Sequence, residues 1–267
     1  MNKKTKQWLT GCGLGCGAIL ILCLVGSVVG TMFLMGGFKD SIATREILDE
    51  RHGDQGDFIP AMTGAIPAER MEKFLTVRSA IMEHCVEFTT TMQKFESMED
   101  MDDDTSKKEA FSGVMNLTGD IFMMVPRMGR FYGARNGTLL DVDMGLGEYT
   151  YIYILAYGHH LRGEGRAARG DAFNSGEPND RVCQALRQML RNQLNTVVDL
   201  DQRAVLEQEI ERLEADPESI PWVAGLPSAI AASLDPYRQQ LDDLFCPATI
   251  FLEFNKNRTQ GLSIHGE

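Results

Sequence analysis

The chain contains no G-x-S-x-G elbow, no P-loop, no dinucleotide-binding glycine fingerprint and no H-E-x-x-H pair. Each absence removes a chemistry: the elbow-type serine hydrolases, the phosphate-cradling loops, the Rossmann oxidoreductases and the helical zinc proteases in turn. No paired-carboxylate signature or repeat period is present either, and no motif calls for a cofactor. Basic residues are the minority, 26 Lys and Arg against 38 Asp and Glu, for a formal charge of −12. Four of those 26 and none of the 38 precede residue 40, which leaves −16 on the remainder. Such a surface repels phosphate, so nucleic acid is excluded as a partner.

The most informative absence is local. Between Lys6 and Lys39 there is no charged residue, and residues 14–35 (LGCGAILILCLVGSVVGTMFLM) read as one apolar helix. A run of this length covers a hydrocarbon core of about 30 Å at 1.5 Å per residue, with every backbone polar group satisfied inside the helix. Lys3, Lys4 and Lys6 crowd the short leading flank, and no comparable excess follows the helix. The positive-inside rule then puts the N-terminus in the cytoplasm and the bulk of the chain in the periplasm or outside the cell. The run is too long for a secretory signal peptide and no A-x-A-like site follows it, so a retained signal anchor is expected. The spacing Gly26 to Gly30 is one at which two membrane helices approach closely, a possible self-association face.

The expected organisation is a cytoplasmic flank (1–11), a transmembrane helix (12–37), a juxtamembrane stalk (38–66) and a helical extracytoplasmic domain (67–267) with a loop or internal boundary at 162–178. The stalk assignment rests on mixed charge and glycines without a sustained period. Pro67 opens an amphipathic helix of about 30 residues whose apolar stripe runs through Met71, Phe74, Ile81, Cys85 and Phe88. Ser106 and Glu109 form a capping-box pattern ahead of a second helix, which Pro126 ends or kinks, and Asn136-Gly137 is read as a turn. Residues 147–157 (GEYTYIYILAY) alternate tyrosines as a strand does yet also place Tyr149, Ile152, Tyr153 and Ala156 on one helical face; helix is preferred. The longest helix is expected from residue 180 to about 215, with short helices ending at Leu234 and near Phe245, and with 249–254 strand-like. The fold class is therefore mainly α: one N-terminal transmembrane helix plus an antiparallel, bundle-like extracytoplasmic domain.

Candidate sites are sparse. Tyr149 and Tyr153, with Met123 and Met128 on the preceding helix, could line a groove for an apolar ligand. His160 and Glu164, four apart, could share a metal. Three cysteines lie beyond the anchor, Cys85, Cys183 and Cys246, and the sequence does not choose among their three pairings; Cys183 with Cys246 is one candidate, whose loop closure would stabilise by roughly 4 kcal/mol. The function expected is binding or scaffolding at the cell envelope without catalysis, through a protein partner or a homodimer formed by the anchor. The alternatives are a module for an apolar small molecule and a metal-dependent envelope enzyme.

Overall fold

The computed structural model describes residues 41–99, 124, 126–162, 180–216 and 219–254. The apolar segment with Gly26 and Gly30 lies outside them, and among the described residues no helix is long and apolar enough to cross a membrane. Every regular element described is helical. In chain order they are α1 (41–52), α2 (Ala68–Glu99), α3 (126–141), α4 (Leu146–Arg162), α5 (Asp180–Leu194), α6 (Leu200–Ala215), α7 (Ser228–Leu234), α8 (Arg238–Asp243) and α9 (Ile250–Phe254).

Residues 41–66 are not a stalk. Leu48 of α1 and Ile66 belong to the main hydrophobic core, and Gly53, with φ +78°, ends α1 with its N–H on Asp49 O. The short 3₁₀ turn Gln55–Asp57 that follows packs on both α4 and α5. Gly147 permits that contact, because a Cβ there would sit 2.4 Å from Gln55 O. Gln55 Nε2 then donates to Thr150 Oγ1 at 2.6 Å.

α4 is the axis of the core. Residues 149–158 are buried without a break, which explains their ambiguous sequence: a helix covered on all sides has no polar face and loses its 3.6-residue signature. α2 lies against it, tied by an ion pair between Arg70 and Glu148. α3 carries Phe131 and Tyr132 into a second cluster with Ile81, Phe88 and Leu252, and Met128 packs against its edge. Asn136-Gly137 does not turn the chain. It lies within α3, where Asn136 is buried and donates to Ser41 O at 3.4 Å, so tertiary packing overrides the local turn preference.

The long helix expected over 180–215 is two helices. It breaks at 195–199, after which α6 packs back on α5. The apolar stripe ran through Val197 and Val198 with no change of period, but only Val197 is buried. Asp199 makes the restart by accepting the Gln202 N–H at 2.8 Å. Removing that cap should cost about 1 kcal/mol. Asp199→Ala is accordingly expected to lower the urea midpoint measurably while Asp199→Ser retains most of the stability, and equal midpoints for the alanine variant and wild type would rule the cap out as a contributor.

The last segments also differ from the strand and disulfide expectations. Residues 249–254 form the end of a 3₁₀ turn (Pro247–Thr249) followed by α9, a helix too short to show a period of its own. The disulfide joins Cys85 of α2 to Cys246, with Cα atoms 6.0 Å apart, and Cys183 remains a buried thiol on α5. A bridge requires cysteine Cα atoms within about 4.4–6.8 Å, and it is α2 that packs along the 247–249 turn.

Candidate functional site

The tyrosines proposed for a ligand groove face inward instead. Tyr149 and Tyr153 are buried around Arg78, whose guanidinium lies 5.2 Å from the ring centres of Tyr153 and Tyr157. Arg78 Nη1 donates to Glu253 Oε1 at 2.5 Å and to the Tyr149 hydroxyl at 3.1 Å, while Nη2 donates to Leu244 O at 2.8 Å. Tyr149 in turn donates to Glu253 Oε1, and Arg135 Nη1 reaches Glu253 Oε2 at 3.3 Å. Burial pushes the phenols up, that of Tyr132 to about 12 and those of Tyr149, Tyr153 and Tyr157 above their ordinary value, so they stay protonated at physiological pH. Arg78 and Glu253 have side chains 0% and 2% exposed. A centre so sealed holds α2, α3, α4 and α9 together and offers no access to a substrate.

A concave surface lies elsewhere. A cleft of about 450 Å³ opens between the end of α5, the first turns of α6, the 222–227 loop and the start of α7, with Met62 and Thr63 along one side. That volume falls within the range of small-molecule and peptide sites, roughly 300–1,000 Å³. Its walls are mostly apolar, from Met62, Val205, Leu206, Leu226 and Ile230. Met62 and Val205 are about half exposed, at 53% and 47%, and form its rim.

Trp222 is set in the wall by an unusual backbone. Its φ is +61°, a left-handed conformation that a bulky residue adopts only when its surroundings impose it, at a cost of order 1–3 kcal/mol. The imposing groups come from α6. Glu209 Oε1 accepts the Trp222 N–H at 2.5 Å, Arg212 is paired to both Glu209 oxygens, and Arg212 also donates to Ser219 Oγ and Ile220 O. Side-chain bonds thus lash the 219–222 segment down with Trp222 facing the cleft region.

Two polar atoms in this wall are buried and have no hydrogen-bond partner among the described residues: Trp222 Nε1, a donor, and Gln193 Oε1, an acceptor. The orientation of the Gln193 amide is settled by its other end, where Nε2 donates to Ala61 O and Met62 O at 2.9 and 3.1 Å. Buried unsatisfied polar groups are costly, about 1–3 kcal/mol each, and are rare without a reason.

A third constellation includes His160; Glu164, the partner expected for it, lies outside the described residues. His159, His160 and Asp242 have donor atoms all within 4.8 Å of one another. Met123 also falls outside the described residues, and Met128 lies in the second cluster away from Tyr149 and Tyr153.

No protein-family model matches the chain, and no curated protein or solved structure is similar enough to count as a match. The functional reading therefore stands on geometry. Sequence reasoning missed Gln193, Trp222 and Asp242. The single available signal was Trp222 itself, one of two tryptophans, set among the proline and glycine of IPWVAGLP where a loop has no core of its own to bury it.

Proposed function

We propose that this protein is a membrane-tethered binding module of the cell envelope, whose cleft at α5, α6 and α7 takes an apolar peptide segment of a partner protein. The carrying observation is that two residues lining a largely apolar cleft hold an unsatisfied donor, Trp222 Nε1, and an unsatisfied acceptor, Gln193 Oε1, with Thr63, Asp201, Gln202 and Ser228 as the other polar residues of the lining. A backbone amide offers the complement of both, and apolar side chains suit Met62, Val205 and Leu206. The tether is the uncharged segment 14–35, read as a transmembrane helix with the bulk of the chain beyond the cytoplasm as an antiparallel helical bundle. The Cys85–Cys246 bridge supports that placement, since disulfides persist in oxidising compartments.

The test uses the full chain in lipid nanodiscs carrying Trp8→Phe, so that Trp222 alone emits. Titration with N-acetyl-leucyl-leucine methylamide should give a saturable change in emission. Val205→Asp should weaken it by about tenfold or more, because binding would then bury a charge in an apolar site. Val205 is half exposed, so the variant should fold. Equal response to decanoate, which has apolar length but no amide N–H, would favour the apolar small-molecule reading instead, and an unchanged affinity in Val205→Asp would remove the cleft from consideration.

A further inference from the structure

We infer that His159, His160 and Asp242 form a site for a divalent transition ion of the zinc class, which on binding clamps the end of α4 to α8. His160 Nε2 lies 3.4 Å from Asp242 Oδ1 and His159 Nε2 lies 3.9 Å from the same oxygen. An ion held tetrahedrally at about 2.0–2.1 Å from nitrogen and oxygen ligands separates those ligands by about 3.4 Å. One of the two distances already has that value, and the other needs a contraction that an exposed histidine side chain can supply.

The His160 ring is also set in advance. His160 stacks on Phe245, with centroids 4.1 Å apart and planes 12° from parallel, and Phe245 rests in turn on Tyr157, 5.1 Å away. A ligand whose rotamer is held by packing loses little entropy when it binds. The two imidazole ring centroids stand 3.8 Å apart, which brings both side chains to the same face of Asp242. Two nitrogens and one carboxylate oxygen suit zinc and its neighbours better than calcium or magnesium, which prefer oxygen alone. Asp242 and His159, 58% and 61% exposed, leave the remaining coordination position open to water.

Metal-stripped full-length protein in nanodiscs, titrated calorimetrically with Zn²⁺, should bind one equivalent. His160→Ala and Asp242→Asn should each weaken binding by at least the 10- to 100-fold that even an outer-shell partner is worth. Asp243→Asn, which removes a neighbouring carboxylate bonded to Gln239 and outside the cluster, should bind as wild type. Because Asp242 is a surface side chain, its variant decides the matter even if His160→Ala disturbs packing on Phe245. No stoichiometric heat, or equal affinity in wild type and Asp242→Asn, would show an ordinary surface pairing of histidine with aspartate and overturn the site.

Discussion

Glu253→Gln is expected to destabilise the protein by about 3–5 kcal/mol, the cost of breaking a buried ion pair by removing one partner. Among the described residues, Glu253 is the one carboxylate bonded to the two buried guanidiniums, Arg78 and Arg135, whose side chains are 0% and 5% exposed. Among the described residues the cluster holds two cations and one carboxylate, an excess positive charge that Tyr149, Leu244 O and the faces of Tyr153 and Tyr157 soften for Arg78. Without the carboxylate, two cations would remain in a low-dielectric interior, and arginine cannot shed its proton to relieve them. Arg135→Met should cost much less, since it removes the surplus cation and leaves the Arg78–Glu253 pair intact. Urea denaturation followed by circular dichroism measures both. Against a typical total stability of about 5–15 kcal/mol, the glutamine variant should lose a large share of its stability. A loss below about 1 kcal/mol would mean that Glu253 is not the group that compensates the two arginines.

The second large effect is expected at the Cys85–Cys246 disulfide. It closes a separation of 161 residues and so removes much of the freedom of the unfolded chain. The chain-entropy model puts the contribution near 5 kcal/mol for such a loop, and measured losses on removing a native bridge run at about 2–5 kcal/mol. Cys246→Ser should therefore lower the melting temperature by roughly 10 °C, at about 2–4 °C per kcal/mol for a chain of this size. Dithiothreitol should destabilise the wild type by a similar amount and leave Cys246→Ser unchanged, whereas Cys183→Ser should keep the full response to reductant. A Cys183→Ser variant indifferent to reductant would contradict the pairing. Cys246 also precedes α9, which carries Glu253, so the bridge and the ion cluster position the same segment. Their losses should not add, and a double variant should fall short of the sum.

Particular elements show why some of this was legible in the residues. α2 announced itself through Pro67 and a stripe of apolar residues, because one face of that helix meets the core and proline suits only a helix start. α7 and α8 were bracketed by Pro227, Pro236 and Pro247 for the same reason. Arg78 broke the pattern of α2: an arginine in an apolar stripe reads as a flaw until Glu253, 175 positions away, is placed beside it. α4 and the restart at Asp199 were obscured by opposite circumstances, a helix with no wet face and a break inside an unbroken stripe.

The cleft was invisible for a geometric reason. Met62, Gln193, Val205 and Trp222 come from four separate stretches, and nothing local in any of them announces the others. The same holds for His160 and Asp242, which stand 82 positions apart in the chain.

What the residues determine by themselves is what depends on transfer energies and local stereochemistry: an uncharged stretch long enough to span a bilayer, an acidic remainder, and helices bounded by proline. Tertiary structure alone decided which cysteines meet, which arginines are neutralised and where a concave surface opens. Those outcomes are contacts between distant positions, and the free energy of such a contact exists only once packing has brought both partners out of water together.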